Sequence, residues 1–153
     1  MIAAIRVRGS VHVREEIETT LRLLRLTRAN HLVLLPEKED TIRMLKKAKD
    51  YITWGEINKE TLEKLLEKRA KLPGNKKLTP EYLKKHSIKS FSELAEKLQK
   101  ELKILEKLNI KPVFRMRPPS KGYERRGIKK SFVVGGALGY RGKQINNLIE
   151  RML

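Results

Sequence analysis

The sequence predicts an α+β fold: a small β-α-β-α-β core of three strands and two helices, carrying a helical and basic C-terminal extension. Three observations predict it. Apolar runs at 2–7, His31–Leu35 and 51–54 are short, bounded by turn residues, and separated by segments with a helical period. The middle of the chain repeats apolar residues every three to four positions. Beyond it, positive charge and glycine concentrate in the last forty or so residues.

Ile2, Ala3, Ala4, Ile5 and Val7 form a buried strand that runs into the Arg8-Gly9-Ser10 loop. From Glu15 the period becomes helical. Ile17, Leu21 and Leu24 share one side, and Arg14, Glu18, Arg22 and Arg25 line the other; the helix is expected to end near Arg28. His31–Leu35, closed by Pro36, is the second strand. A second helix begins at about Glu39 and turns Ile42, Leu45 and the stem of Lys49 inward. Tyr51-Ile52-Thr53-Trp54 is aromatic and β-branched, so it is a third strand, expected to stop at Gly55. Asn58 then caps a helix that buries Leu62, Leu65 and Leu66, and Pro73-Gly74-Asn75 breaks it. Thr79-Pro80 starts a short helix with proline at its first position. Ser90 and Glu93 form a capping box before the longest helix, expected to run unbroken through Phe91, Leu94, Ala95, Leu98, Leu102, Leu105 and Leu108 until Pro112 ends it. Residues 113–117 read as one more strand before Pro118-Pro119. A last helix over 144–151 turns Ile145, Leu148, Ile149 and Met152 inward. The chain divides accordingly into a core at 1–57, a helical extension at 58–110, and at 111–153 a basic loop, glycine-rich turn and terminal helix packing back on the core.

The charge balance points to function. There are 36 Lys+Arg against 18 Asp+Glu, a formal excess of +18. That excess costs self-repulsion in a compact state, and a polyanionic partner relieves it. Nucleic acid ranks first and an acidic membrane surface second. The excess is also local. Lys111, Arg115, Arg117, Lys121, Arg125, Arg126, Lys129 and Lys130 face the single acid Glu124, whereas 59–71 alternates in sign like an ordinary solvated helix. Locality favours a binding surface. No apolar run approaches the roughly 20 residues that span a bilayer. The opening stretch is short and carries Arg6, so it does not read as a secretory signal. With no Cys there is no disulfide framework, which suits a cytosolic chain.

Several motifs invite chemistry and fall short of it. His12, His31 and His86 are far apart and lack companion ligands, so no metal is expected. Between Gly135 and Gln144 the glycines resemble a phosphate-binding loop. That loop needs glycine where Ala137 stands and a hydroxyl where Gln144 stands. Two readings remain: a tight turn capping the last helix, or glycine letting the backbone approach an RNA phosphate. Paired carboxylates and Ser/His/Asp arrangements are absent, so no catalytic residue, cofactor or small-molecule substrate is expected. Trp54 could stack on a base or fill the core, and 5% aromatics supply no stacking platform. The candidate RNA contacts are therefore Arg6, Arg8, Gly9, Ser10, Arg14, Arg22, Arg25 and Arg28 near the first helix. Arg115, Arg117, Lys121, Arg125, Arg126, Lys129, Lys130, Arg141 and Lys143 join them from the tail. For Arg14, Arg22, Arg25 and Arg28 a merely solvated helix face is the alternative. Residues 117–130, rich in Pro, Gly and like charges, are expected to be mobile until RNA orders them, the alternative being that Tyr123 and Ile128 dock them on the core.

At these residues a family resemblance enters. Arg6-Val7-Arg8-Gly9, Thr20-Leu21-Arg22-Leu23-Leu24-Arg25-Leu26, Met44-Leu45 and Tyr51-Ile52-Thr53-Trp54-Gly55 resemble the large-subunit ribosomal proteins of the L-thirty family in their archaeal form, which is similar to the eukaryotic L-seven proteins. Gly135-Gly136, Gly139, Arg141 and the run from Gln144 to Met152 carry the same resemblance at the far end. It implies a structural, non-catalytic protein of the cytoplasmic ribosome, bound to large-subunit rRNA near the 5S RNA and touching neighbouring ribosomal proteins. A start directly at the first strand, with this C-terminal extension present, implies an archaeal source. Without the resemblance the residues reach only RNA binding, for which a non-ribosomal architectural protein is the alternative.

Overall fold

Alternation along the apolar runs builds a sheet with two dry faces. The computed structural model describes residues 1–153. Its strands are β1 (Ile2–Arg6), β2 (His31–Leu35), β3 (Ile52–Glu56), β4 (Val113–Arg115) and β5 (Gly139–Tyr140), in the order β4-β2-β1-β3-β5. β1 is antiparallel to both β2 and β3, with Ala4 opposite Val33 on one side and Trp54 on the other. β4 adds antiparallel to β2, and β5 adds parallel to β3. The three expected strands are thus the centre of a five-stranded sheet. Two residues carry no periodicity, so β5 left no signal in the sequence.

One face packs on α1 (Glu15–Leu23) and α2 (Glu39–Lys47). Ile2, Ala4, Val33, Ile52 and Trp54 meet Leu21, Leu24, Leu45 and Ala48 there. The other face is covered by the extension: α3 (Lys59–Arg69), α4 (Pro80–Lys85), α5 (Phe91–Lys100), α6 (Ile104–Lys107) and α7 (Ile145–Met152). Ala3, Ile5, Leu32 and Phe114 share a core with Leu62, Leu65, Leu94, Leu98, Ile145 and Leu148. Burial on both faces explains why the strands read as continuous apolar runs, a pattern that one-sided sheets do not show. Trp54, 7% exposed, belongs to this core.

Several boundaries differ from expectation, with physical causes. α1 ends at Leu23, not near Arg28. Arg25 N–H donates to Arg22 O and Leu26 N–H to Leu21 O, while Arg25 takes φ 61°. This is the Schellman ending, here with arginine where glycine is usual, and buried Leu26 closes it. On α2 the inward position after Leu45 is Ala48, and Lys49 is exposed. The expected single long helix is broken: Glu101 adopts extended φ −142°, ψ 108° between α5 and α6. The chain thereby turns, and Leu105 and Leu108 still enter the core. The caps follow the sequence. Asn58 accepts from Thr61 N–H at 2.9 Å and Ser90 from Glu93 N–H at 3.2 Å, although Glu93 reaches back to Lys89 N–H instead of that of Ser90.

Gly55 does not stop β3, which continues to Glu56. A Cβ on Gly55 would sit 2.0 Å from Gly142 O. Glycine is required there because the turn before α7 touches the sheet backbone to backbone. Asn146 completes the joint by donating to Glu56 O and accepting from Asn58 N–H, both at 3.0 Å.

Candidate RNA interface

At one end of the sheet β1 finishes, β2 begins and β4 finishes, so three basic segments converge. His31 stands opposite Arg115 in the ladder. Asn30 knots the segments together: it donates from its backbone to Arg6 O, accepts from Met116 N–H, and takes the Tyr123 hydroxyl on its side-chain oxygen at 3.0 Å. Arg25, Asn30 and Lys121 all hold positive φ here, as does His12. A left-handed arginine or lysine costs of order 1 kcal/mol or more, and such strain gathers where function constrains the backbone.

Two predicted contacts are something else. Arg6 is fully buried, and its guanidinium donates to Leu26 O (2.8 Å), Thr27 O (3.1 Å), Arg8 O (2.9 Å), Gly9 O (3.1 Å) and Glu18 Oε2 (3.2 Å). With every donor turned inward it cannot reach RNA. It positions the loops that carry Arg8, Arg25 and Arg28. Arg141 is 5% exposed and spans from the sheet to the basic segment: to Thr53 Oγ1 at 2.8 Å, to both Glu124 oxygens at 2.7 and 3.2 Å, and to Ala137 O at 2.9 Å. It too is a strut, not a contact. Arg6 does carry one sequence signal of burial, its place between Ile5 and Val7 in the apolar run of the first strand; Arg141 carries none, because its burial arises from long-range packing.

The basic segment makes several contacts with the rest of the chain. Tyr123 docks through Asn30 and both packing clusters beside it. Arg151 donates to Gly122 O and to Glu124, Ser120 N–H reaches Arg151 O, and Ala137 N–H reaches Gly127 O. The one acid of the segment is its anchor. Burial pushes the Glu124 carboxyl up, but the hydrogen bonds and charge of Arg141, with Arg151 behind it, outweigh this and leave it below the ordinary range. Of the two residues that could dock the segment on the core, Tyr123 does so and Ile128 stays 40% exposed.

What remains on the surface is cationic and unpaired. Arg8 is half-buried, held over the Tyr51 ring at 4.8 Å and bonded to Asp50 O. Arg14, Arg22, Arg25, Arg28, Arg115, Arg117, Lys121, Arg125, Arg126, Lys129 and Lys130 are exposed, as are Gly9 and Ser10. Among the predicted cations only Arg6 and Arg141 form a salt bridge. Several other carboxylates pair within the helical extension, as in Lys59–Glu96, Lys64–Glu150 and Lys97–Glu93. Lys143 stands apart, beside Gly142 at the Gly55–Glu56 end of β3. The sequence missed His31 as a member of the patch, since strand register is not readable residue by residue. Burial first, then the charges of Arg115, Arg28 and Arg6, holds its imidazole below the ordinary value and so neutral at pH 7. An uncompensated positive field has that effect. The crowding at Gly136 is internal: a Cβ there would lie 2.1 Å from Lys130 O, so this glycine closes a turn and does not admit a phosphate.

Fold and charge define a basic α+β protein with an uncompensated cationic sheet end. The sequence model described as Ribosomal protein L30p/L7e matches residues 2–52, which span β1 through the start of β3. Across its full length the chain is 54% identical over 153 residues to the large ribosomal subunit protein uL30 of Nanoarchaeum equitans, covering 100% of this chain and 99% of that one. It is 53% identical over 152 residues to the uL30 protein of Methanococcus maripaludis and 50% over 155 to that of Thermoplasma volcanium. The chain belongs to this ribosomal protein family. No helix is long and apolar enough to cross a membrane.

Proposed function

We propose that this chain is a structural, non-catalytic component of the large subunit of the cytoplasmic ribosome, holding folded rRNA close to the 5S RNA through phosphate contacts at the β1–β2–β4 end of its sheet. One observation carries the RNA reading: exposed arginines and lysines from three segments meet there and none of them forms a salt bridge, while Glu124, the single acid of the basic segment, is taken by Arg141 and Arg151. Phosphates supply the missing counter-charge. Full-length similarity to archaeal uL30 proteins supports the ribosome as the setting and neighbouring ribosomal proteins as further partners. Proximity to the 5S RNA rests on the family resemblance. Buried Trp54 leaves no stacking platform, so shape and phosphate positions, more than base identity, set the site.

Affinity for protein-free rRNA should fall steeply with salt. With about six to ten phosphate contacts at roughly 0.7 each, the log–log slope is expected at about −4 to −7. A slope near −1 would mean that binding lies away from the charge. Retention on large subunits in a high-salt gradient separates the ribosomal role from a free architectural one.

A further inference from the structure

The basic segment ends in an apolar turn, Phe132–Val134, where charge would be the simpler choice. Val133 is 89% exposed and Val134 48%. The turn is nonetheless closed by hydrogen bonds. Phe132 N–H donates to Leu138 O at 2.7 Å, Gly135 N–H to Phe132 O at 2.9 Å, and Gly136 N–H to Ser131 O at 2.8 Å. The Phe132 ring lies 4.5 Å from the Arg141 guanidinium, itself fixed by Thr53, Glu124 and Ala137. So the fold spends order on holding two valines in water. Single exposed apolar residues are ordinary on a protein surface; what sets this pair apart is that the two are adjacent, sit in a hydrogen-bonded turn and are flanked by unpaired cations.

The surroundings select the partner. Arg126 lies against Gly135, and Lys129 and Lys130 lead directly into the turn; none of the three forms a salt bridge. Glu124, the one acid of the segment, is already taken by Arg141 and Arg151. An apolar protein socket would have to bring its own acids against these cations. RNA brings phosphates for the cations and, wherever a nucleotide is unstacked, an apolar base face for the valines.

We propose that Val133 and Val134 form a wedge against the face of an unpaired nucleotide in large-subunit rRNA, with Arg126, Lys129 and Lys130 on the flanking phosphates. The wedge rests on the RNA-binding function proposed above. It gives a protein that reads phosphates one place where it reads an irregularity of RNA structure.

The test compares wild type, a Val133→Ser/Val134→Ser double variant and a Lys129→Ala/Lys130→Ala double variant on protein-free large-subunit rRNA and 5S RNA of Methanococcus maripaludis. Affinity across a salt series is combined with chemical probing of base reactivity. The serine variant, altered only at exposed positions, should melt like wild type. It should bind about tenfold more weakly with an unchanged salt slope, because the lost contact is apolar. One or a few nucleotides protected by wild type should become reactive again. The alanine variant should instead lower the slope by about 1.4, at ~0.7 per contact. Wild-type affinity and protections in the serine variant overturn the wedge. So does full rRNA binding by that variant with failure to join large subunits, which would assign the valines to a protein neighbour. If wild type itself shows no salt-dependent binding, the RNA function fails and takes the wedge with it.

Discussion

Arg6→Met is expected to lower the stability of the chain by about 3 kcal/mol or more, although a chain so rich in surface arginine suggests that one arginine is dispensable. The side chain is fully buried and answers four backbone carbonyls, those of Leu26, Thr27, Arg8 and Gly9. Methionine fills similar space without a donor. Each carbonyl left dry costs about 1–3 kcal/mol. The Glu18 partner is 31% exposed and adds little, since water screens it. Two loops lose their shared peg, so RNA affinity falls as a consequence of the fold. Arg25→Gly provides the contrast. Arg25 sits exposed at φ 61°, where glycine relieves strain while loosening the unfolded chain, so stability should change by less than about 1 kcal/mol. If Arg25 holds a phosphate as proposed, RNA affinity should drop at once. Denaturant unfolding beside RNA titration measures both. If Arg6→Met unfolds like wild type, the buried peg is misassigned.

Gly55→Ala is the second large effect, from a single added methyl group. Its Cβ would lie 2.0 Å from Gly142 O and 3.1 Å from Ile145 Cβ. Neither neighbour is the free end of a flexible side chain. The turn at Gly142 must retreat, which pulls α7 from β3 and strains Asn146 against Glu56 and Asn58. Overpacking a well-packed site costs typically 1–3 kcal/mol, and a backbone clash belongs at or above the top of that range. The damage should be directed. Thermal unfolding should fall by about 6–12 °C or more in a chain of this size, and hydrogen exchange should rise first across α7 and the Arg117 and Ser120 amides tied to it. A variant with wild-type exchange along α7 would show that the sheet and turn do not depend on this contact.

How much of this was legible follows from what each feature depends on. The central strands, their two helices and the caps at Asn58 and Ser90 depend on neighbours within a few residues, and the sequence displays them directly. β4 was readable from its apolar run before Pro118. β5 was not, because Gly139–Tyr140 is a strand only through its pairing with Thr53 and Trp54. The end of α1 was misplaced because arginine occupies the left-handed position that glycine usually announces. For the site, composition located the cations and left their roles unsorted. Arg141 looks like its exposed counterparts until the segment from 124 to 137 folds over it, and Arg6, though set in an apolar strand, finds its partners only when positions 18 to 27 close over it. Tyr123 likewise docks through Asn30, far away in sequence. Charge is a local property; burial is not.

The central claim is that exposed arginines around His31 hold RNA phosphates. Its most direct test is the salt dependence of rRNA binding by an Arg28→Ala/Arg115→Ala/Arg117→Ala variant. All three side chains are exposed and free of salt bridges, so the melting profile should match wild type. If they contact phosphates, the log–log slope becomes shallower by about 2, at ~0.7 per contact, and affinity falls at every salt concentration. An unchanged slope and affinity, in a variant that folds normally, would contradict the account.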